Sequence, residues 1–468
     1  MENKIINMLD KTCEKNKQKT AFEYIEDGMV IQVSYGSLRT QINHAIKIVE
    51  NIEEKRVALL GMTSFQWICM AYAMIACGKT IIFPDATLPL EDLSVLLKNT
   101  DCERIIITDD RKDLEALNEL CPVEYYSMDR VYKIIDRSVR IKAKCDNGEV
   151  IFFTSGTSKL AKGVVLTYDA IFAGVEIGII NHVPKNGERL MIPTPTYHIM
   201  GFMLTLISIK NCNIVCYARN MKTISKDMFT FNPDSMLLVP SLLDFIASSK
   251  KGIPAKTKRV MVGGGALSKE TFTKARDKGL DVYTGYGLSE ACGQATVSVR
   301  NDISKMRLTD NMEVKISDEG EILLKSKSLM KEYYNNKEET DKVLIDGYLH
   351  TGDVGYITED NCLVFTGRIK DIIVMDNGEK VNCRELDDII NAFEKVREGA
   401  IKWTGKELVA VIVPQDGFCN VEEAEDYMME QVKEYNKLQP FFRKISRVEI
   451  KNEPLKRTST GKIQRREL

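Results

Sequence analysis

Short apolar runs alternate with longer segments of helical periodicity through the first two thirds of the chain. The short runs are apolar throughout, as in buried strands, whereas the longer segments repeat apolar residues every three to four positions. Strands and helices that alternate in this way predict parallel sheets covered by helices, and the number of strands predicts two sheets. The predicted strands are 57–61, 80–83, 104–108, 150–153, 189–192, 213–217, 235–239, 259–262 and 281–283, and the helices between them include 65–77, 90–97, 168–180 and 268–278.

Beyond residue 310 the pattern changes to pairs of short strands around polar turns, such as 318–320 and 377–378, which are typical of hairpins. We expect a small antiparallel, barrel-like piece there, followed by a small α+β unit. The predicted elements are strands 312–316, 321–325, 354–357, 362–366 and 408–413 and helices 384–393 and 421–438. The predicted fold class is therefore α/β plus α+β, with a large domain of two helix-covered, mainly parallel sheets over 1–367 and a smaller domain over 368–468.

Composition narrows the function classes without naming one. The 468 residues are too many for one ordinary core, and 44% apolar with 28% charged residues is typical of a globular protein. The formal charge of −2 gives no strong general attraction to nucleic acid or to an acidic membrane. Twelve scattered cysteines, four histidines, no secretory leader and no membrane-spanning stretch predict a cytoplasmic protein with reduced thiols and no zinc site.

The segment that follows the predicted strand 150–153 is rich in hydroxyl side chains, glycine and lysine. Glycine lets backbone N–H groups approach an anion, hydroxyls donate to phosphate oxygens and lysine supplies the opposite charge. The alternative is an ordinary solvated loop, and the segment is not the common P-loop, because Ala161 stands where that motif needs its second glycine. The candidate phosphate-binding residues are Thr154, Ser155, Gly156, Thr157, Ser158 and Lys162.

A second signal lies far away in the C-terminal tail. Lys462 follows Thr460 and Gly461 in a short polar segment that can reach a site built elsewhere in the chain. We therefore treat Lys462 as a candidate residue of that distant site.

Two glycine-containing turns follow predicted strands in the middle of the chain. Gly264, Gly265 and Ala266 can let a flat ring lie against bare backbone, although a tight strand-to-helix turn is the favoured explanation when this motif is taken alone. In the second turn Tyr286 can stack a base, Ser289, after Gly287, can donate to a phosphate and Glu290 can hold Mg²⁺. The alternative for Glu290 is an acid in the first turn of a helix, where the helix dipole favours it.

Two further candidates are single residues. Asp353, after a tight turn, can accept hydrogen bonds from both hydroxyls of a ribose, but an exposed turn aspartate is the simpler alternative. His198 opens a strongly apolar helix, where a lone histidine is more often structural than catalytic.

In this order and spacing the motifs resemble those of the acyl-adenylate-forming superfamily, which contains acyl-CoA synthetases, adenylation domains of peptide synthetases and firefly-type luciferases. The family's phosphate loop, Thr-Ser-Gly-Thr-Thr-Gly-x-Pro-Lys-Gly, aligns with residues 154–163. The resemblance assigns phosphate binding to Lys162 and Ser289, the adenine pocket to Gly264–Ala266 and Tyr286, Mg²⁺ to Glu290, the ribose to Asp353 and Arg368, a hinge to Lys370, a gate beside the substrate carboxylate to His198, and catalysis to Lys462.

The resemblance implies two half-reactions that use ATP, Mg²⁺ and a thiol. A carboxylate attacks the α-phosphorus of ATP to give acyl-AMP and pyrophosphate, and a thiol, most simply that of CoA, then takes the acyl group. The chain departs from the family at Lys159, which replaces a glycine, at Ala161, which replaces the loop proline, and at Cys383, where a proline is usual. The stretch 297–311 also lacks the usual glycine-rich segment.

The acid itself is predicted to be apolar. Residues 199–209 contain no carboxylate to pair with the ammonium of an amino acid, so we expect an acyl or aryl tail, with Met200, Phe202 and Met203 as candidate lining. Two alternatives remain open: an enzyme that loads the phosphopantetheine of a separate carrier protein, and a non-catalytic nucleotide-binding relative.

Overall fold

The computed structural model describes residues 2–109, 111–126, 139–154, 162–375, 379–457 and 463–468. The described chain forms two compact units. The first contains Met1–Val314 and Leu324–His350, and the second contains Lys315–Leu323 and Thr351–Leu468. Among the helices of these described ranges, none is long and apolar enough to cross a membrane.

The strands of the described residues are β1 (Thr20–Glu26), β2 (Met29–Ser34), β3 (Arg56–Leu60), β4 (Thr80–Ile82), β5 (Arg104–Ile107), β6 (Val123–Tyr125), β7 (Glu149–Phe153), β8 (Gly163–Thr167), β9 (Arg189–Met191), β10 (Ile214–Cys216), β11 (Ser235–Leu238), β12 (Arg259–Val262), β13 (Asp281–Tyr286), β14 (Thr296–Val299), β15 (Asp302–Arg307), β16 (Glu313–Ile316), β17 (Glu321–Lys325), β18 (Glu332–Tyr333), β19 (Leu344–Ile345), β20 (Tyr348–Ile357), β21 (Cys362–Arg368), β22 (Ile372–Val374), β23 (Lys380–Asn382), β24 (Val396–Trp403), β25 (Leu408–Pro414) and β26 (Ile445–Ile450).

The helices are α1 (Lys4–Lys15), α2 (Tyr35–Val49), α3 (Phe65–Ala76), α4 (Leu90–Asn99), α5 (Leu114–Leu120), α6 (Tyr168–Ile180), α7 (Ile199–Lys210), α8 (Ile224–Phe231), α9 (Pro240–Ser248), α10 (Lys269–Asp277), α11 (Lys337–Val343), α12 (Cys383–Asn391) and α13 (Val421–Lys437). Several begin at a hydroxyl side chain that accepts from a backbone N–H of the first turn, which satisfies a donor that the helix leaves open. Ser64 does this for α3, Thr167 for α6 and Ser268 for α10.

The first unit contains two mixed sheets. One has the order β15-β14-β13-β12-β11-β9-β10-β1-β2, in which the strands from β13 to β1 run parallel. The other has the order β18-β8-β7-β4-β3-β5-β6, parallel from β7 to β6 and antiparallel at β8 and β18. Two helix-covered, mainly parallel sheets are therefore confirmed.

Aromatic side chains from both sheets and their helices form the core of this unit. Phe202 of α7 lies 5.6 Å, ring to ring, from Phe152 of β7 and 5.4 Å from Phe83, which follows β4. Trp67 of α3 lies 4.6 Å from Phe83. All four rings are almost fully buried, and α3 is buried on nearly every side, which explains why its sequence is apolar all round. Phe202 and the buried Met203 thus match an ordinary core helix rather than a substrate lining.

In the second unit β20 and β21 pair antiparallel, and Gly355 donates its N–H to the carbonyl of Gly320 beside β17. The strip β16-β17-β20-β21 is open along β16, so the described residues contain no closed barrel and the barrel-like description is corrected. The C-terminal part has a hairpin of β22 and β23 and a three-stranded sheet β24-β25-β26. Leu386 of α12 and Met428 of α13 pack in the core cluster of this part.

Pattern analysis missed several strands. The hairpin of β1 and β2 turns at Asp27 and Gly28, which both have positive φ, as the Asp-Gly hairpin signal requires. The segment 163–167, omitted from the predicted strands, is β8, an antiparallel partner of β7. β13 continues to Tyr286, beyond the predicted end at residue 283, because β14 pairs with its last two residues.

Candidate functional site

The carboxyl ends of the parallel strands in the first sheet lie at one edge. β9, β11, β12 and β13 are neighbours in register, with Met191 opposite Met236 and Val262 opposite both Leu238 and Thr284. The segments that follow these strands are therefore neighbours as well, and ligands of parallel α/β sheets bind at such an edge. Three predicted site segments lie there: His198, Gly264–Ala266, and the stretch from Tyr286 to Glu290.

Both glycine-containing turns place backbone in tight positions. Gly264 has a φ of +80°, and Gly264, Gly265 and Ala266 are exposed between β12 and α10. A Cβ at Gly287 would lie 2.3 Å from the carbonyl oxygen of Gly293, so only glycine fits there. Tyr286 is buried at the end of β13, and Ser289 and Glu290 lie in a short 3₁₀ turn. The backbone at Gly264 does form a tight turn, as the alternative explanation required. The role of Gly264–Ala266 and Tyr286 in binding a base stays a prediction.

Side chains from the second sheet meet this edge. The N–H of Thr196, which follows β9, donates to Oγ1 of Thr63, which follows β3, at 2.8 Å. His198 Nε2 lies 3.9 Å from Oδ2 of Asp85, which follows β4. Burial lowers the pKa of His198 against the opposing pull of Asp85, so the imidazole is neutral near pH 7. The carboxyl ends of both sheets therefore converge around a neutral histidine.

The predicted phosphate segment is the loop of the hairpin formed by β7 and β8. The N–H of Thr154 donates to the carbonyl of Lys162 at 3.1 Å, which closes the base of the loop. Ser155, Gly156, Thr157 and Ser158 lie outside the described residues, as do Lys159 and Ala161. The structure thus places the two ends of the predicted cradle at the carboxyl edge of the second sheet.

Lys162 and Glu290 are brought together through a tyrosine. The Lys162 Nζ lies 2.5 Å from Oε2 of Glu339 on α11 and 4.7 Å from the centre of the Tyr333 ring. The Tyr333 hydroxyl donates to Oε1 of Glu290 at 2.7 Å. Hydrogen bonds from Lys162 and Lys342 lower the pKa of Glu339 from 4.5 to about 2, so this carboxylate is ionised at every physiological pH.

Tyr333 and Glu339 are the site residues that sequence reasoning missed. The N–H of Met330 donates to the carbonyl of Glu290, and Tyr334 donates its N–H to the carbonyl of Gly163, so the segment fixes both turns. The available signal was weak: two adjacent tyrosines before an acidic helix, with no glycine-rich motif. The contact between Lys162 and Glu339 joins residues that are 177 positions apart, so a local sequence pattern cannot predict it.

The second unit holds the predicted ribose pair. Asp353 and Arg368 face each other across β20 and β21, with Arg368 Nε 3.0 Å from Asp353 Oδ1. The Asp353 side chain is 4% exposed, so the alternative of an exposed turn aspartate is wrong. The N–H of Gly352 donates to Glu321 Oε1 at 2.8 Å, which ties this part of β20 to β17.

Two other predicted residues belong to the C-terminal region. Lys370 lies in a 3₁₀ turn at Ile369–Asp371 and lines a cavity of about 400 Å³ together with Trp403 and Arg465. Lys462 lies outside the described residues. Three residues later, Arg465 forms an ion pair with Asp387 of α12 and donates to the carbonyl of Ile401 at 2.8 Å. The segment that follows Lys462 is therefore anchored to its own domain.

The described groups fit a magnesium nucleotide. Mg²⁺ prefers carboxylate and phosphate oxygens. Glu290 supplies a carboxylate, and the Tyr333 side chain contacts both this carboxylate and the Lys162 ammonium. A cation opposite the phosphates and a carboxylate for the metal are the two charges that a bound triphosphate needs.

Two protein-family models match the chain. The model described as AMP-binding enzyme matches residues 9–334, and that of the AMP-binding enzyme C-terminal domain matches residues 370–468. The chain is 26% identical over 436 residues to 2-succinylbenzoate–CoA ligase of Listeria monocytogenes serotype 4b, with 89% of each chain covered. It is 23% identical over 486 residues to long-chain-fatty-acid–CoA ligase FadD13 of Mycobacterium tuberculosis, with 94% of this chain and 93% of the relative covered.

Solved structures confirm the predicted fold. ATP-bound MatB from Rhodopseudomonas palustris matches with a TM-score of 0.86 at 18% identity, over 100% of this chain and 98% of that one. At this identity the likeness establishes the architecture of a large α/β part and a smaller α+β part.

Proposed function

The chain belongs to the AMP-binding enzyme family, and from this premise we propose that it joins a carboxylic acid to CoA in two steps. ATP first converts the acid to acyl-AMP with release of pyrophosphate, and the CoA thiol then takes the acyl group and releases AMP. Family membership and the two ligase relatives confirm the predicted acyl-adenylate-forming superfamily and the class of AMP-forming acid–thiol ligases. The observation that carries the proposal is the meeting of Lys162 and Glu290 at Tyr333.

The first step brings a carboxylate to a triphosphate, so neutralisation of negative charge is its main requirement. In our proposal Lys162 moves from Glu339 to the phosphate oxygens, and Ser289 donates to them. Glu290 would hold Mg²⁺, which would supply further positive charge there. Lys462 acts as the catalytic lysine, and the residues 155–158 contribute backbone and hydroxyl donors to the same phosphates.

The remaining nucleotide contacts are proposed from the residue positions. Gly264, Gly265, Ala266, Tyr286 and Gly287 offer exposed backbone and an aromatic ring for the adenine. Asp353, held by Arg368, accepts from the ribose hydroxyls. The boundary at 367/368 and the hinge at Lys370 belong to the same proposal, and the separate family match to residues 370–468 supports them. A cytoplasmic location is proposed from the free cysteines.

The substrate is proposed to be an acid with an apolar acyl or aryl tail. The relatives are named for 2-succinylbenzoate, which is an aryl acid, and for long-chain fatty acids, which have an apolar acyl tail. Asp85, whose Oδ2 lies 3.9 Å from His198 Nε2, already accepts hydrogen bonds from the N–H and the hydroxyl of Thr87. A neutral His198 can donate one hydrogen bond to the substrate carboxylate without adding charge.

The test is pyrophosphate release by the full chain with ATP, Mg²⁺ and a panel of aryl, short-chain and long-chain acids. Release with an apolar acid, followed by thioester formation with CoA, is the expected result. Thioester formation with a phosphopantetheinylated carrier protein but not with CoA would show that the acyl acceptor is a carrier protein rather than CoA. ATP binding without pyrophosphate release for any acid would contradict the proposal and favour the non-catalytic relative.

A further inference from the structure

Two of the twelve cysteines lie in direct contact at the amino ends of neighbouring strands. Cys102 precedes β5 and Cys121 precedes β6, and their sulfur atoms are 3.9 Å apart. β5 and β6 are parallel partners with Ile105 opposite Val123, and the N–H of Ile105 donates to the carbonyl of Pro122 at 2.9 Å. The backbone thus holds the two cysteines side by side, although they are 19 residues apart in the chain.

We propose that Cys102 and Cys121 form a peroxide-reactive dithiol that closes reversibly to an intramolecular disulfide. The sulfur atoms must approach by about 2 Å to reach disulfide bonding distance. Both residues lie just outside regular strands and are partly accessible to solvent, so side-chain rotation can supply this movement. The inference does not depend on the proposed ligase reaction.

The two thiols have different chemical characters. Cys121 donates its S–H to the sulfur of Cys102, and Cys102 donates its own S–H to the carbonyl of Arg104 at 3.2 Å. The contact with Cys102 and the nearby Arg104 lower the pKa of Cys121 against the effect of burial. The same contact and burial raise the pKa of Cys102. The thiolate is the reactive form of cysteine, and the Cys102 proton is held on the carbonyl of Arg104. Cys121 is therefore the attacking residue and Cys102 the one that resolves the intermediate.

The reaction balances with hydrogen peroxide as the two-electron oxidant. The Cys121 thiolate attacks one peroxide oxygen, a sulfur–oxygen bond forms, the oxygen–oxygen bond breaks and hydroxide leaves and takes up a proton to become water. The Cys102 sulfur then attacks the sulfenic sulfur of Cys121, the sulfur–sulfur bond forms and a second water leaves with the Cys102 proton. Two thiols and one peroxide thereby give one disulfide and two waters.

Exposure alone would favour Cys145 or Cys419, which are both exposed on the surface. At Cys419 a hydrogen bond to Glu423 and the negative charge of that residue raise the pKa of the thiol. Peroxide should therefore consume Cys121 faster than Cys419, in the reverse order of their exposure.

The pair also lies beside an anchor of the candidate site. Asp101, which directly precedes Cys102, accepts from the Tyr334 hydroxyl at 3.0 Å and from the side-chain amide of Asn335 at 3.1 Å. These residues follow Tyr333, which contacts both Lys162 and Glu290. Closure of the disulfide pulls on Asp101, so we expect it to increase hydrogen exchange in the segment 331–336.

The experiment treats the native full chain with limiting hydrogen peroxide, blocks the remaining thiols and maps disulfides by peptide mass spectrometry. The expected product links Cys102 to Cys121, disappears on treatment with a thiol reductant, and is absent in Cys121→Ser and Cys102→Ser. Cys419→Ser should leave it unchanged. Cys121→Ser should also abolish the rise in hydrogen exchange over 331–336. Preferential oxidation of Cys145 or Cys419, a different disulfide, or no loss of the thiol at Cys121 would overturn the proposal.

Discussion

Two ion pairs among the candidate site residues are built in different ways. Asp353 and Arg368 face each other across neighbouring strands, and the Asp353 side chain is 4% exposed. Lys162 and Glu339 join the end of a hairpin loop to a short helix, and their side chains are 34% and 32% exposed. The first pair is fixed by strand register, whereas the second can exchange its partners. In our account Asp353 is already positioned for the ribose, and Lys162 pairs with Glu339 until phosphate replaces that carboxylate.

Removal of the exchangeable lysine has the largest expected effect. Lys162→Met should reduce pyrophosphate release by about 10²–10³-fold, or about 3–4 kcal/mol, because a donor to developing negative charge is lost. Its stability should change little, since a partly exposed ion pair contributes only about 0.2–1 kcal/mol. The matched control is Lys342→Met, which removes the other lysine bound to Glu339. Equal losses in the two variants would refute the special role of Lys162.

The register-fixed pair should respond in stability as well as in binding. Asp353→Asn keeps the size of the side chain but removes its charge opposite Arg368, and an ion pair with one partly exposed member contributes about 1 kcal/mol. Urea unfolding should show a loss of that order, together with a higher KM for ATP. Asp318→Asn, in an exposed hairpin turn, provides the control. A loss of ATP affinity with unchanged stability would mean that the pair is not a structural unit.

Removal of the Glu339 charge should have a smaller effect, and it should strengthen nucleotide binding rather than weaken it. Glu339→Gln frees Lys162 and removes a negative charge near the phosphates, so MgATP should bind about two- to fivefold more tightly, in keeping with the strength of a partly exposed pair. Isothermal titration calorimetry would measure the Kd. Glu338→Gln is the matched control, because Glu338 binds Lys342 and lies one position earlier on the same helix. Weaker binding in Glu339→Gln would show that Glu339 supports the nucleotide rather than competing with it.

The pH dependence of this pair follows from the pKa of Glu339. That pKa is lowered from 4.5 to about 2, so the folded protein favours the carboxylate, and the stabilisation is present above pH 4.5 and is lost as pH falls towards 2. Carbon NMR of the Glu339 carboxyl should therefore titrate far below its ordinary range. In Lys162→Met the pKa should rise, because Lys162 is the largest cause of the shift. An unchanged pKa of Glu339 in Lys162→Met would show that the two side chains do not pair in solution.

The same contrast explains what the sequence could predict. Alternating apolar runs predicted β11, β12 and α6 well, because strand burial and helix periodicity are local. The sequence predicts Asp353 just after a tight turn and before a strand at 354–357, and only pairing with β21 shows that Asp353 itself lies within β20. The pattern predicts the strand β7 and the phosphate loop that follows it, but it does not predict the strand β8 after the loop.

Contacts between distant residues could not be predicted from local patterns. Tyr333 and Glu290 are 43 positions apart, and nothing in the composition around either residue indicates their hydrogen bond. The resemblance to adenylate-forming enzymes supplied roles for Lys162 and Glu290, but it gave no role to Glu339, Tyr333 or the contact between Cys102 and Cys121. These residues became visible only when the chain was folded.

The most direct test of the central claim is a crystal structure of the full chain with Mg²⁺ and a non-hydrolysable ATP analogue. The account predicts that the Lys162 ammonium has left Glu339 and contacts a phosphate oxygen, and that the metal lies on the Glu290 carboxylate. A bound nucleotide with the Lys162–Glu339 pair intact and its phosphates away from residues 154–162 would contradict it.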